Sequence, residues 1–312
     1  MKNSSLSIYS FYRFVFIKNK SSIKKQLDKY LLGYEVRGTI LLADEGINGS
    51  ISGKRKELDE LIKFIKKTLN IRKLQVKINN IDFLPFNRMK IRLKNEIVAL
   101  GISSVDALKN TGIKISPEKW DKIVCDNNFE IIDTRNQFEI KIGSFKNSLN
   151  PKTENFREFP KKFKNLKINK EKKIAMFCTG GIRCEKASSY LKQIGYKNVY
   201  QLDGGILNYL DYKNKLKKNV TWTGDCFVFD NRVTVDKNLR MGSYTQCFGC
   251  RHPLTKSEKN LKTYIKGVSC KYCHNKRNKR QINKSITRQN QIKISEERGQ
   301  CHTFKKISIK DI

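Results

Sequence analysis

The chemistry this chain can do is concentrated in its cysteines. In Cys178-Thr179-Gly180-Gly181-Ile182-Arg183-Cys184, two thiols bracket two glycines, an isoleucine and an arginine. The segment follows an apolar run, Ile174–Phe177, and opens a helical one. A two-glycine turn in that place can aim successive backbone N–H groups at one point, and the positive end of the next helix adds to them. A thiol at that point is expected to ionise below its ordinary range, near neutrality. Arg183 contributes a further positive charge and can brace the loop. The spacing from Cys178 to Arg183 is C-x4-R, one residue shorter than the C-x5-R ring with which cysteine phosphatases surround a tetrahedral phosphate. The shorter ring suits a terminal sulfur, as thiolate or persulfide. Cys184 has two readings: a resolving thiol in an oxidation cycle, or a core residue in the first helical turn.

A second group reads Cys247-Phe248-Gly249-Cys250, then Cys270-Lys271-Tyr272-Cys273, a C-x2-C-x19-C-x2-C pattern. Two such knuckles can close a tetrahedral tetrathiolate site for zinc, with no position left open for water. The expected role is support of folding; four reduced, metal-free thiols are the alternative. Cys125, Cys226 and Cys301 stand apart. His252, His274 and His302 all lie in the cysteine-rich third and form no spaced pair with a carboxylate of the kind a non-haem iron site needs. No Gly-x-Gly-x-x-Gly fingerprint for a flavin or nicotinamide is present. No cofactor that would activate oxygen is therefore legible.

These residues need elements to hold them. Tyr9–Phe16, Val36–Leu42, Gly49–Ser52 and Leu74–Ile78 read as strands, with a turn over residues 45–49. Helices fall at Ile23–Leu32 and Leu58–Leu69, the latter with Leu58, Leu61, Ile62, Ile65 and Leu69 on one face. The order β-α-β-β-α-β over residues 1–100 predicts a ferredoxin-like α+β domain. Residues 101–117 read as a linker. From 118 to 218, short apolar strands (Phe129–Ile132, Ile174–Phe177, Val199–Leu202) alternate with helices such as Glu185–Ile194. That alternation predicts an α/β domain with a parallel sheet, whose chemistry sits at the carboxyl ends of its strands. Residues 219–275 form a Cys-rich module with a strand over Cys226–Phe229. Residues 276–312 form a basic tail, either a phosphate-binding arm or a solvated segment. Pro151–Lys164, with two prolines and a basic run, reads as a loop that could lie near the sulfur site.

Length and charge bound the function. The 312 residues carry 65 Lys plus Arg against 29 Asp plus Glu, a net +36. Lys outnumbers Arg 49 to 16, as a compositional drift would also produce. Even so, basic residues in every segment point to a long polyanion, with nucleic acid first. The longest apolar runs are far short of the ~20 residues that cross a bilayer, and Arg13 interrupts the apolar start of the chain, so no membrane role is expected. Nine cysteines without a secretory leader fit a reducing, cytoplasmic compartment.

Several strings resemble known families. Asp133-Thr134-Arg135, Glu139, Gly143-Ser144-Phe145 and Gly204-Gly205-Ile206 resemble the stations of a rhodanese domain, with Ser144 where that family carries His. The longer string Cys178–Ser188 is narrower. Together with Asp44-Glu45-Gly46-Ile47-Asn48-Gly49 and Gly224-Asp225-Cys226-Phe227-Val228-Phe229-Asp230, it resembles the TrhO family of bacterial tRNA uridine hydroxylases over nearly the whole chain. The resemblance implies oxygen-dependent 5-hydroxylation of the wobble uridine of tRNA, with molecular oxygen as co-substrate. It also implies Cys178 as the essential cysteine, carried as a persulfide intermediate. Two other functions fit the residues: a sulfurtransferase carrying sulfane sulfur on Cys178, and a non-catalytic tRNA-binding scaffold. The Asp44–Gly49 string is expected to contact the anticodon loop.

Overall fold

A computed structural model describes residues 6–298 and the backbone pair 307–308. The N-terminal domain has the expected order: β1 (Leu6–Phe14), α1 (Lys20–Tyr30), β2 (Arg37–Ala43), β3 (Gly46–Lys54), α2 (Arg55–Thr68) and β4 (Gln75–Asn80). β5 (Phe83–Leu84) and β6 (Met89–Leu93) follow. The sheet order is β4-β1-β3-β2-β6. The sequence pattern predicts four strands; a fifth, β6, pairs parallel to β2, and its Lys90 and Arg92 break the apolar signal that would mark it. The turn between β2 and β3 is also tighter than expected. Ala43 pairs directly with Gly46, so Asp44 and Glu45 alone make the turn and the strand begins three residues earlier.

Side chains alternate across a strand, and here the alternation divides the sheet's work. Phe11, Ile40, Leu42, Ile47 and Ile51 face α1 and α2, meeting Leu27, Leu58, Leu61 and Ile65 in one core. The residues between them, Ser10, Tyr12, Thr39, Leu41, Asn48 and Ser50, form the opposite face and line a cavity.

The second domain has a four-stranded sheet, order β7-β11-β10-β8, built from β7 (Ile113–Ile115), β8 (Phe129–Asp133), β10 (Lys173–Phe177) and β11 (Val199–Leu202). All three pairings are parallel. Its helices are α3 (Pro117–Val124), the single-turn α4 (Gln137–Ile140), α5 (Phe159–Lys164), α6 (Ile182–Gln193) and α7 (Gly205–Lys215). One face packs Ile132, Ile174 and Met176 beneath α5 and α6; the other packs Ile131, Ala175 and Phe177 beneath α3 and α7.

Three boundaries differ from the sequence reading. Residues 101–117 are not a linker: Leu100 and Val105 are buried in the α5–α6 core, and β7 is the edge strand of the parallel sheet. The second domain does not end at 218. β12 (Trp222–Gly224) pairs with β9 (Gly143–Phe145), and Trp222, Cys226, Val228 and Val235 enter its core. The strand expected over Cys226–Phe229 is only Cys226–Phe227 (β13), paired with β14 (Thr234–Val235). Polar spacing hid both connections. The cysteine module carries the short hairpin of β15 (Thr245–Gln246) and β16 (Pro253–Leu254). The tail expected from 276 is largely α8 (Lys279–Glu297), capped by Asn278 and Gln281. Its amphipathic signal is weak because it touches little: Arg277 and Arg288 reach back to carbonyls of Val268 and Gly267, while most of its surface is exposed. Cys301 and His302 lie outside the described residues. Among the described residues no helix is long and apolar enough to cross a membrane.

Candidate active site

Cys178 sits where a parallel sheet exposes chemistry, one residue past β10, and is only 1% exposed. Gly181, at φ +97°, turns the chain back so that its N–H donates to Cys178 Sγ at 3.1 Å. α6 begins at the next residue. The loop floor is fixed from α7. The N–H groups of Ile206 and Leu207 donate to the carbonyls of Cys178 and Thr179 at 2.9 and 3.1 Å. This approach explains Gly205. A Cβ there would lie 2.4 Å from the Cys178 carbonyl oxygen and 2.7 Å from the Gly181 nitrogen.

Opposing influences act on the Cys178 sulfur. Burial by itself pushes the Cys178 thiol up. Hydrogen bonding from the Cys184 thiol, the Arg183 charge and the backbone amides of Cys184 and Arg183 outweigh it, bringing the thiol down to about 6. Cys184 is fully buried, with Thr134 Oγ1 at 3.6 Å, and is held well above its usual range by burial and by Cys178. The environment thus favours the charged form of Cys178 and the neutral form of Cys184.

Arg183 is used as a brace. Both of its terminal nitrogens bond both oxygens of the buried Glu139 at 2.7 Å. Its charge acts on Cys178 from the side, while its donors hold α4 against α6. Behind it lies a second buried pair, Asp133 with Arg135, whose Nη2 also donates to the Gly143 carbonyl. Ser144 donates to Asp133 at 2.7 Å. Thr179, Gly180 and Ile182 line the cavity beside Cys178, and Ile182 also packs on Phe14, Ala43 and Ile97 of the N-terminal block.

The cavity, about 590 Å³, lies between the loop and the open face of the N-terminal sheet. Cys178, Thr179 and Gly180 form one wall; Tyr12, Asn48 and Ser50 form the other; Lys77, Phe156, Phe229 and Arg232 complete the lining. The Pro151–Lys164 stretch is helical in part rather than a loop, and Phe156 brings it to the cavity as expected. The N-terminal contribution to the cavity is not among the expected site residues. Its polar alternate positions are small residues that carry no catalytic signature, although their period-two spacing was present.

The Asp44–Gly49 string is divided between the domain seam and the cavity. Glu45 accepts from the Ile97 N–H at 2.7 Å and pairs with Lys186 of α6 at 2.8 Å; Glu96 pairs with the same lysine. Lys186 is 1% exposed. Beside it Glu185 receives Tyr12, Lys114 and Gln201. α6 is therefore walled in by both domains. The Asp44 carboxylate meets Lys20 at the surface and its carbonyl accepts from the Ile17 N–H, whereas Asn48 and Gly49 reach the cavity.

The four cysteines of the C-terminal module do come together. All four sulfurs lie within 4.8 Å of one another, and the nearest contacts are 3.6, 3.9 and 3.9 Å. Zinc–sulfur bonds of about 2.3 Å in a tetrahedron place sulfurs roughly 3.8 Å apart, so the donor set fits that ion. The module leans on the active-site domain through His252, which stacks on Tyr272 and meets Phe138 of α4 at a tilt, with ring centroids 5.1 Å apart. His274 is exposed and bonds Asn275; Cys125 is exposed and Cys226 is buried. Neither histidine is near Cys178 in these contacts.

Comparison with known proteins follows this division. The model of the UPF0176 acylphosphatase-like domain matches residues 6–97, and that of the rhodanese-like domain matches residues 116–211. The chain is 46% identical over 303 residues to a tRNA uridine(34) hydroxylase of Pelagibacter ubique (strain HTCC1062), covering 96% of this chain and 98% of that protein. Among solved structures, a rhodanese-related protein from Thermoplasma volcanium is 27% identical, covering 32% of this chain and 92% of its own, at a TM-score of 0.28. A single-domain sulfurtransferase from Saccharomyces cerevisiae is 18% identical, covering 36% and 98%, at a TM-score of 0.29.

Proposed function

This chain belongs to the tRNA uridine(34) hydroxylase family, and we propose that it carries out oxygen-dependent 5-hydroxylation of the uridine at position 34 of tRNA in the cytoplasm. The observation that carries the reading to particular residues is the cavity itself. It holds a low-pKa sulfur on one wall and a polar sheet face on the other. Its volume falls in the range of ligand sites, about 300–1,000 Å³. A base inside an RNA stem cannot reach a sulfur 1% exposed, so the uridine enters the cavity flipped out of its stack.

In this reading Cys178, as thiolate or as its persulfide, is the nucleophile. Its sulfur adds to C6 of the uracil ring, the carbon conjugated to the C4 carbonyl, and the electron pair moves onto C5 and O4. C5 becomes the electron-rich carbon that takes one atom of molecular oxygen as hydroxyl, while the other atom leaves as water with two electrons and two protons from an external pair of thiols, which become a disulfide. Loss of the C5 proton and departure of the sulfur from C6 restore the ring double bond. Cys184 keeps the leaving sulfur stable as an anion by donating its S–H. Arg183 and Glu139 hold the loop in register. The thiolates of Cys247, Cys250, Cys270 and Cys273 would hold zinc, which would supply structural closure of the module. The open face of the N-terminal sheet receives the anticodon loop, and the Arg280–Lys284–Arg288 face of α8 contacts phosphates.

The test is mass spectrometry of tRNA nucleosides from cells lacking this gene, rescued with wild type or C178A. The expected result is loss of 5-hydroxyuridine-derived nucleosides, restored only by wild type. Their persistence together with the fall of a thiolated nucleoside would replace the reading with a sulfurtransferase. Rescue by C178A would leave a binding scaffold.

A further inference from the structure

Phe229 is the most exposed large aromatic of the cavity lining, at 64%. A phenylalanine that open to water normally has little to hold it. Here it is fixed from behind: its ring meets Phe227 edge-on, with centroids 5.1 Å apart and planes at 88°, and Phe227 is buried. The next residue, Asp230, is locked to Arg232 by two side-chain bonds of 2.9 and 2.7 Å, and Val228 and Val233 exchange a backbone bond across the same turn. The Arg183 guanidinium lies 5.8 Å from the ring centroid. The ring is thus rigid, apolar and uncovered at the mouth of a cavity that ends at Cys178. Arg183, Arg232 and Lys77 share the lining, each paired with a carboxylate, Glu139, Asp230 and Asp211 in turn.

We infer that Phe229 is a stacking platform for an unpaired base of the substrate RNA. This inference rests on the reading above and adds a substrate-positioning residue to it. Proteins that bind single-stranded RNA present exposed aromatic rings in this way, and an unpaired base lays its face on the ring. Every base has a flat face, so the contact positions the nucleotide without selecting it. Selection is left to the polar sheet face within. An RNA stem, whose bases are already stacked on each other, offers nothing to this ring.

The experiment uses the full-length protein and two synthetic RNAs: an anticodon stem-loop with uridine at the wobble position, and a duplex of equal length with no unpaired base. F229W places an indole at the mouth, and emission from the buried Trp120 and Trp222 is subtracted using wild type. The stem-loop should quench the F229W signal and the duplex should not. F229A should weaken stem-loop binding by about 5- to 150-fold, the worth of one base–aromatic stack, with the loss falling on KM rather than kcat, and F229W should restore it. Equal quenching by the duplex, unchanged stem-loop affinity in F229A, or equal weakening toward both RNAs would each overturn the inference. A change in F229W emission with protein concentration alone would show the ring covered by a second copy and would also overturn it. The binding measurements do not depend on turnover. If wild type makes no 5-hydroxyuridine, the hydroxylase reading fails while the Phe229 result stands by itself.

Discussion

Removing the Cys184 thiol tests the physical account of the sulfur site most directly. Burial pushes Cys178 up, and the Cys184 hydrogen bond leads the influences that bring it down to about 6, followed by Arg183 and the loop amides. A hydrogen bond to a charged group contributes about 1.5–3 kcal/mol. At 1.36 kcal/mol per unit, that is roughly one to two pKa units. In C184A the Cys178 midpoint should therefore rise to between about 7 and 8. At pH 7 the thiolate fraction would fall from roughly nine-tenths to between a half and a tenth. The sign for activity follows from the ionised form being the competent one. Wild-type kcat/KM should hold above about pH 6 and fall about tenfold per unit below it, and C184A should begin to fall one to two units higher. The assay is alkylation with iodoacetamide across pH 4.5–9.5, with the Cys178 peptide quantified by mass spectrometry so that the other cysteines do not contribute. Losing one small buried side chain costs about 1 kcal/mol, which a thermal melt would register separately. A midpoint that stays near 6, or moves down, would refute the assignment of Cys184 as the donor and leave Arg183 and the amides to account for the thiolate.

Glu139→Gln leaves the buried Arg183 without its carboxylate and should destabilise the protein by about 3–5 kcal/mol in chemical denaturation, while moving the Cys178 midpoint down rather than up, because the arginine's charge is no longer neutralised. A mercurial titration monitored with a zinc indicator should release one zinc per chain from wild type and none from C270S; no release from wild type would leave the four sulfurs as plain thiols. Charge reversal on the exposed face of α8, R280E with K284E, should weaken tRNA binding uniformly across sequences and reduce the slope of log affinity against log salt by about 2, whereas an unchanged slope would mean the helix meets no phosphate.

The parts of this fold that were legible in the sequence are those where one physical requirement dominates. α2 announced itself because Leu58, Leu61, Ile62 and Ile65 must all enter one core. The sulfur loop did so because strand, glycine pair, arginine and helix each serve the same anion. The four-cysteine pattern was legible for a similar reason, since four ligands leave few ways to close. What escaped was held by contacts between segments far apart in the chain. Lys90 and Arg92 disguised β6, whose place is fixed by pairing with β2. Gly112 and the short β7 read as linker because their bonds go to Ser188 and to β11. The N-terminal half of the cavity escaped for the same reason: serines, a threonine and an asparagine acquire meaning only when a sulfur loop stands opposite.

The position of Lys186 bears on how this site can be divided, in the laboratory or in descent. In most two-domain enzymes the seam between domains can be cut and each side keeps its own surface. Here the helix that starts at the sulfur loop carries, on its next turn, a lysine whose acids, Glu45 and Glu96, belong to the other side of the seam, beside a glutamate that receives Tyr12. Deleting the N-terminal domain would strip α6 of these partners at once, so loss of activity in that truncation would record a dismantled loop support rather than a lost RNA contact. Single changes on the open sheet face, at Ser10, Thr39 or Ser50, separate the two. The same seam constrains ancestry. A lineage could not exchange this rhodanese unit for a free-standing one without also rewriting the β2–β3 turn, so the two halves are expected to have been inherited together.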